Sequence, residues 1–227
     1  MIRAVGFDLD DTLYDHAQYV GGAYRDIAAV VEQRIGIAAA EFFARIFPDW
    51  QLRTSRCDRI FADALTHYGM YAVELERELV RVYRAHQPAL TPFPGVGDGL
   101  RSLRAAGLRI GLLSDGQVDV QRRKLRALKL EDCFDVLVYT GALGREYYKP
   151  HPDGFAQLAR ELAAEPTEIA YVGDNPFVDF EEPHRMGMQT LRVLTGEYRE
   201  IHPALPVVHR AFTEVTHAID WVLANRR

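Results

Sequence analysis

Cysteine is almost absent from this sequence, which has only Cys57 and Cys133 among its 227 residues. The two lie far apart and belong to no paired motif, so we predict neither a disulfide framework nor a zinc site, and we expect a reducing compartment. No apolar run is long enough to span a bilayer. The chain enters an apolar strand within a few residues of Met1, which leaves no room for a signal peptide. We therefore expect a cytoplasmic protein without a membrane partner.

An excess of positive charge is also missing. The chain has 27 Lys and Arg residues against 32 Asp and Glu residues, and its net charge is −5. This balance gives no electrostatic footprint for nucleic acid, and we expect no nucleic-acid partner. The sequence carries no signal for an oligomeric state. One basic cluster lies on a predicted helix, where we expect it to form a solvated surface: Arg122-Arg123-Lys124 with Arg126 and Lys129.

Two carboxylates stand at the end of the first apolar run. The run Ala4-Val5-Gly6-Phe7 predicts a short buried strand, and Asp8 and Asp10 follow it on one face because side chains alternate along a strand. Two like charges about 4 Å apart repel by about 4 kcal/mol at an effective dielectric of about 20, so we expect a cation or a proton between them. The alternative is a strand end and a helix cap, in which Asp11 or Thr12 accepts from the next backbone amides.

The following part of the chain contains no convincing strand pattern. Between residues 18 and 87, apolar residues recur at helical spacing, and Gly and Pro residues interrupt them. The predicted helices run from about residue 18 to Gly36, then over residues 38–47, ending before Pro48, and over residues 58–68 and 72–87. A stiff Pro-rich linker follows at residues 90–95.

Strand and helix patterns alternate through the remainder of the chain. This alternation predicts an α/β protein with a parallel sheet and helices on both faces. The predicted strands cover residues 108–113, 136–139, 169–172 and 189–193, and the last predicted helix covers residues 212–225. We expect residues 1–15 and 89–227 to form this core, and residues 16–88 to form a small all-helical domain.

Polar clusters follow several of the predicted strands. Because ligands bind beyond the carboxyl ends of the strands in such a sheet, we expect these clusters to share one site. Taken one at a time, each is an ordinary turn or a solvated lysine; their common placement on one edge is hard to explain by turn chemistry. The clusters are Asp8 with Asp10, Ser114-Asp115-Gly116, Lys149, and Asp174 with Asp179.

These side chains suit phosphoryl transfer. Asp8 can attack phosphorus, and Asp10 can hold a proton for the leaving oxygen. Asp8 and Asp174 can bind Mg²⁺, which takes oxygen ligands. Ser114 and nearby backbone amides can hold phosphate oxygens, and Lys149 supplies a fixed positive charge.

The charges of this group also balance. Four carboxylates bring four negative charges, and Mg²⁺, the Lys149 amine and one proton on Asp10 offset them. An anionic phosphate could then enter a site that is not strongly negative.

In order and spacing, these clusters resemble the four motifs of the haloacid dehalogenase superfamily. The stretch Asp8-Leu9-Asp10-Asp11-Thr12 is similar to the first motif, Ser114 to the second, Lys149 to the third, and Gly173-Asp174 with Asp179 to the fourth. The resemblance implies a Rossmann-like core with a helical cap inserted just after the first motif, and residues 16–88 fit that cap. The chain departs from the family at Glu182-Pro183, where members with such a cap often have Gly-Ala, which puts the local helix packing in doubt.

The resemblance also implies roles for single residues. Asp8 would be the nucleophile, and Asp10 the general acid and then the general base. Mg²⁺ would be held by Asp8, Asp174 and the backbone carbonyl of Asp10. Ser114 would bind the phosphoryl group together with Asp115 and Gly116, while Asp179 would steady Lys149.

The function expected from these residues is Mg²⁺-dependent hydrolysis of a small phosphomonoester through an aspartyl phosphate. The substrate would be a small phosphorylated metabolite, such as a sugar phosphate or a nucleoside monophosphate. A dehalogenase of this family needs no metal and differs at the position of Asp10. A phosphomutase would keep every motif and remains an alternative. A non-catalytic binding protein with this fold should have lost at least one motif, and all four are present.

Overall fold

A computed structural model of the chain describes residues 1–53, 59–201 and 206–226. Cys57 and the predicted helix start at residue 58 lie outside these ranges, and Cys133 is a free, half-buried cysteine. The chain divides into two compact units, one of Met1–His16 with Leu90–Arg227 and one of Ala17–Ala89. No helix in the described ranges combines the length and the apolar content needed to cross a membrane.

The described residues form nine α-helices and six β-strands. The helices are α1 (Ala17–Ile35), α2 (Ala39–Arg53), α3 (Ile60–His67), α4 (Val73–Ala85), α5 (Val96–Ala105), α6 (Val118–Ala127), α7 (Pro152–Leu162), α8 (Glu181–Met186) and α9 (Val215–Asn225). The strands are β1 (Ala4–Phe7), β2 (Arg109–Ser114), β3 (Val136–Tyr139), β4 (Ile169–Gly173), β5 (Gln189–Val193) and β6 (Arg210–Phe212).

The first unit is organised around one parallel six-stranded sheet. Its strand order is β3-β2-β1-β4-β5-β6, which places β1 between β2 and β4. Every residue of β1 and β4 is buried, as expected for strands covered on both faces. The predicted α/β fold with a Rossmann-like parallel sheet is confirmed. All carboxyl ends therefore lie along one edge of this sheet.

Two glycines let α7 approach the middle of the sheet closely. A Cβ atom at Gly6 of β1 would lie 2.6 Å from a methyl of Leu158, and one at Gly111 of β2 would lie 2.5 Å from the other methyl. Leu158 is fully buried on α7 and fills the space above the two strands. The helix that follows the Lys149 loop is thereby fixed against the strands that carry Asp8 and Ser114.

The sequence-based prediction missed β6 and began the last helix too early. Residue Phe212, predicted as the start of a helix, is the last residue of β6, and α9 begins at Val215. The strand has only three residues and pairs with β5 alone at the edge of the sheet. An edge strand this short carries no apolar run from which the pattern could be recognised.

The second unit consists of α1 to α4 around an apolar cluster of its own. The prediction that its second helix ends before Pro48 was wrong, because α2 continues through Pro48 to Arg53. A proline in a helix interior costs about 3 kcal/mol. Ile46 and Trp50, on either side of Pro48, are both buried in the cluster, and each such side chain contributes roughly 1.5–3 kcal/mol. Their burial offsets the cost of the proline.

A close approach between two loops makes Gly141 a sensitive position. Gly141 follows β3, and a Cβ atom there would clash with the backbone carbonyl of Gly116, in the loop after Ser114. Because a backbone atom cannot rotate away, we expect Gly141→Ala to lower the free energy of unfolding by about 1–3 kcal/mol. Thermal unfolding followed by circular dichroism should show a melting temperature lower by several degrees.

Gly97→Ala is the matched control, since a Cβ atom at Gly97 would lie 3.4 Å from the flexible end of Arg101 and 3.9 Å from a methyl of Leu130, without a clash. We expect its melting temperature to equal or slightly exceed that of the parent protein. Equal melting temperatures for both variants and the parent would contradict the close approach of the two loops.

Candidate active site

The amine of Lys149 lies between two carboxylates at the carboxyl edge of the sheet. Its Nζ donates to Oδ1 of Asp8 at 2.6 Å and to Oδ1 of Asp179 at 2.7 Å. All three side chains are buried. Burial alone would lower the pKa of Lys149, but the carboxylates of Asp179 and Asp8 outweigh it and raise this pKa well above its ordinary value. Lys149 is therefore a permanent buried positive charge.

The ends of the two central strands hold the carboxylates in place. Asp8 directly follows β1, and its N–H donates to the carbonyl of Val172 in β4 at 2.9 Å. Asp179 accepts from the N–H of Asn175 at 3.0 Å. A Cβ atom at Gly173 would lie 2.6 Å from an oxygen of Asp179, so only glycine fits at the end of β4.

Thr12 connects Asp8 to Asp174. Its Oγ1 lies 3.2 Å from Oδ2 of Asp8 and 3.4 Å from Oδ1 of Asp174, so the hydroxyl can donate to either carboxylate. Both carboxylates face the same buried hydroxyl. The sequence-predicted residues Asp8, Lys149, Asp174 and Asp179 thus come together in one cluster.

This cluster fits a divalent cation. Asp8, Asp174 and Asp179 each offer a carboxylate oxygen, and the three atoms lie within 4.8 Å of one another. Burial raises the pKa of Asp8 to about 7, against the opposing effect of Lys149. Burial, with Asp179 and Asp8 nearby, raises the pKa of Asp174 well above its ordinary value. One lysine does not offset three buried carboxylates, so a hard cation with oxygen ligands suits the remaining charge.

Asp10 occupies a different environment from Asp8. The Nζ of Lys124 donates to its two carboxylate oxygens at 2.9 and 2.8 Å, Nε2 of Gln121 donates to Oδ2 at 3.1 Å, and the Tyr14 hydroxyl donates to Oδ1. Burial would raise the pKa of Asp10, but Lys124 and His16 outweigh it and hold this pKa below its ordinary value. Asp10 is therefore ionised here, and Lys124 supplies the positive charge beside it. The sequence-based charge balance had instead assigned a proton to Asp10.

The prediction that Lys124 belongs to a solvated surface was wrong, since its side chain is only 5% exposed. The sequence contains a signal that was overlooked. The buried positions of α6 are Val120, Gln121, Lys124 and Leu125, at the spacing of one helical face. Two polar residues on the apolar face of a helix indicate a polar partner behind it, and here that partner is Asp10.

The loop after β2 brings Ser114 to the same edge. Ser114 is buried, and its Oγ accepts from Nε2 of Gln121 at 2.6 Å. The side chain of Asp115 accepts from the Thr140 hydroxyl at 2.6 Å and from the backbone N–H of Lys149 at 3.1 Å. Asp115 thus holds the Lys149 loop through its carboxylate.

Arg192 is a buried residue at this edge that the sequence analysis did not single out. It lies in β5, and its Nε donates to the backbone carbonyl of Asp174 at 3.2 Å. Its Nη2 donates to the carbonyls of Tyr198 and Ile201 at 2.9 and 2.8 Å. Burial lowers the pKa of Arg192. The guanidinium therefore ties the segment after β5 to the backbone of a predicted metal ligand.

The departure at Glu182-Pro183 is accommodated without loss of the helix. Both residues are buried in α8, and Glu182 pairs with Arg185 one turn later at 2.6 Å. The backbone carbonyl of Pro183 accepts from Met188 at 2.9 Å just beyond the helix end.

The chain matches the family model of the haloacid dehalogenase-like hydrolases over residues 2–187. It belongs to this family, and the resemblance seen in the motifs is confirmed. The chain is therefore a hydrolase, as predicted.

Three similar proteins show the range of this family. The sequence is 32% identical to the glyceraldehyde 3-phosphate phosphatase of Methanopyrus kandleri, over 89% of this chain and 88% of the relative. It is 28% identical to (S)-2-haloacid dehalogenase 1 of a Pseudomonas species, over 85% and 84%. The crystal structure of a HAD phosphatase from Thermococcus onnurineus, 21% identical, covers 100% of both chains with a TM-score of 0.69 and has the same fold.

The acidic cluster predicts that Mg²⁺ stabilises the folded protein. An ion that binds only the folded state, present at about 100 times its dissociation constant, contributes about 2.7 kcal/mol. Adding MgCl₂ should therefore raise the melting temperature of the parent protein, compared with NaCl of equal ionic strength. Asp174→Asn should lose most of this increase because it removes a carboxylate ligand.

Asp153→Asn is the control for this measurement, because Asp153 is an exposed residue at the start of α7. It should keep the full Mg²⁺-dependent increase. An increase of the same size in Asp174→Asn would place the ion elsewhere.

Proposed function

We propose that this protein is a Mg²⁺-dependent phosphatase that hydrolyses a small phosphomonoester through an aspartyl phosphate on Asp8. The observation that carries the proposal is the buried carboxylate of Asp8, which has the Lys149 amine at one oxygen and faces Asp174 across Thr12. A second carboxylate, that of Asp10, pairs with the amine of Lys124. A nucleophile beside a cation site and a separate acid–base group are what phosphoryl transfer through an enzyme carboxylate requires.

In the first step, an oxygen of Asp8 forms a bond to phosphorus, and the bond between phosphorus and the ester oxygen breaks. The leaving oxygen takes a proton from Asp10. Ser114 and the backbone of the loop that follows it hold the phosphoryl oxygens, while Lys149 offsets their charge. Mg²⁺, held by Asp8, Asp174 and the backbone carbonyl of Asp10, would supply positive charge that keeps Asp8 ionised and neutralises the phosphoryl group.

In the second step, water attacks phosphorus and gives a proton to Asp10. The bond between phosphorus and Asp8 breaks, which releases inorganic phosphate and restores the Asp8 carboxylate. Over one turnover Asp10 gives and regains one proton. Lys124 holds the pKa of Asp10 below its ordinary value, which favours the ionised form that this second step needs. Entry of an anionic phosphate next to Asp10 favours the proton uptake that the first step needs, because a like charge raises a carboxyl pKa.

The relatives support phosphate ester hydrolysis with a small, sugar-like substrate. The Methanopyrus kandleri relative is named for glyceraldehyde 3-phosphate. The Pseudomonas relative is named a dehalogenase, and in the resemblance described above such enzymes differ at the position of Asp10. The presence of Asp10, paired with the amine of Lys124, favours phosphatase activity over dehalogenase activity.

We further propose that residues 16–88 act as the helical cap that selects the substrate. The second unit has its own apolar cluster, built from α1 to α4, and so can vary in surface without disturbing the sheet. We expect such a cap to choose the leaving group by its shape and polar contacts.

A substrate panel tests the proposed function. Purified protein with MgCl₂ should release phosphate from at least one small phosphomonoester among sugar phosphates, nucleoside monophosphates and p-nitrophenyl phosphate. Excess chelator should abolish release, and added Mg²⁺ should restore it, because the carboxylate cluster needs the cation.

The panel contains (S)-2-chloropropionate and candidate acceptor sugar phosphates as further arms. Chloride release from the haloacid without phosphate release would contradict the phosphatase. Transfer of the phosphoryl group to an acceptor faster than to water would instead identify a phosphomutase. Equal phosphate release with and without chelator would remove Mg²⁺ from the mechanism.

A further inference from the structure

We propose that Lys124, together with Gln121, is a positioning residue that holds the carboxylate of Asp10 next to Ser114, where it faces the leaving group. This inference rests on the proposed function. Neither residue belongs to the four sequence motifs, and both lie on the inner face of α6.

The contacts of Asp10 fix both of its carboxylate oxygens. Lys124 donates to both at 2.9 and 2.8 Å, so its amine spans the carboxylate. Gln121 donates to Oδ2 at 3.1 Å, and Tyr14 donates to Oδ1. Donors on both oxygens, with Nε2 of His16 4.0 Å from Oδ1, leave the carboxylate little freedom to rotate, and two of these donors, Lys124 and Gln121, come from α6.

The side-chain amide of Gln121 contacts both Asp10 and Ser114, the residue proposed to bind the phosphoryl group. The Nε2 atom of Gln121 lies 3.1 Å from Oδ2 of Asp10 and 2.6 Å from Oγ of Ser114. Gln121 is itself only 2% exposed. If Ser114 binds the phosphoryl group as proposed, Gln121 sets the distance between that group and the residue that protonates its leaving oxygen.

The burial of Lys124 indicates that a counter-charge lies close to its amine. The lysine side chain is 5% exposed, while Arg122 and Arg126 on the same helix are exposed. Burying an amine costs several kcal/mol unless a counter-charge is close. The Asp10 carboxylate, 26% exposed, supplies that counter-charge and at the same time stays open toward solvent and ligands.

Positioning matters for the reaction because proton transfer needs the donor within hydrogen-bond reach of the leaving oxygen. Misplacement by about 1 Å can cost roughly 100-fold in rate. A role for Lys124 as a simple attractive charge for phosphate would instead raise KM equally for every ester. The two roles therefore differ in what they do to kcat and to its dependence on the leaving group.

The experiment compares Lys124→Met with the parent enzyme on p-nitrophenyl phosphate and on phenyl phosphate. Nitrophenolate leaves with little need of a proton, whereas phenolate needs one. We expect kcat on phenyl phosphate to fall by about 10- to 100-fold, with KM changed less than about threefold. On p-nitrophenyl phosphate, formation of the phosphoenzyme should be nearly normal and its hydrolysis slow, which appears as a burst of nitrophenolate.

Three further variants separate positioning from loss of the fold. Lys124→Arg keeps a charged donor and should restore most of the lost rate. Gln121→Met has a similar size without the donor and should show the same leaving-group dependence. Arg126→Met is the matched control, since Arg126 is an exposed residue of α6 that pairs with Glu131, and it should behave like the parent enzyme. Circular dichroism and melting temperatures establish that each variant is folded.

A double-mutant cycle supplies the strictest comparison. In the Asp10→Asn background, Lys124→Met should slow phenyl phosphate hydrolysis by less than about twofold, because residues that act through one group are not additive. A full additive loss, an unchanged leaving-group dependence with raised KM, or normal kinetics of Lys124→Met would each overturn the inference and leave the phosphatase intact. A parent enzyme that hydrolyses no phosphomonoester would overturn the proposed function, and this inference with it.

Discussion

The site depends on one buried positive charge, the amine of Lys149, held between Asp8 and Asp179. Burying several carboxylates together is unfavourable unless cations accompany them. The Lys149 amine forms ion pairs with Asp8 and Asp179, and the backbone N–H of Lys149 donates to the carboxylate of Asp115. The negative charge that remains, at Asp8 and Asp174, is what a divalent cation would offset. The ends of β1 and β4 and the Lys149 loop therefore depend on one another.

A second lysine gives the two carboxylates of the first motif different properties. Asp8, buried beside Lys149, has a pKa raised to about 7, whereas Asp10, paired with Lys124, has a pKa below its ordinary value. Two carboxylates only two residues apart thus have different pKa values because their surroundings differ. The proposed roles also require that bound Mg²⁺ keeps Asp8 ionised and that an entering phosphate raises the pKa of Asp10. In this chain the cation beside Asp10 comes from α6, outside the motifs that identify the family.

The sequence was sufficient to predict five of the six strands of the parallel sheet and the four polar clusters that meet at its carboxyl edge, because apolar strands ending in Asp or Ser leave a local pattern. Lys124 was misjudged because neighbouring arginines on α6 made it look like part of a charged surface, although its spacing matches the buried face. The passage of α2 through Pro48 depends on the burial of residues on either side, which local pattern does not reveal. Contacts of this kind, such as Arg192 with the backbone of Asp174, are set by the tertiary fold.

The most direct measurement is the chemical identity of the residue that carries the phosphoryl group during turnover. Enzyme mixed rapidly with a phosphomonoester that it hydrolyses, quenched in acid and analysed by intact mass and peptide mapping, should carry one phosphoryl group on Asp8. With p-nitrophenyl phosphate, whose leaving group needs little protonation, the adduct should accumulate in Asp10→Asn, and it should be absent in Asp8→Asn. A phosphoryl group on another residue, or normal turnover by Asp8→Asn, would contradict the account.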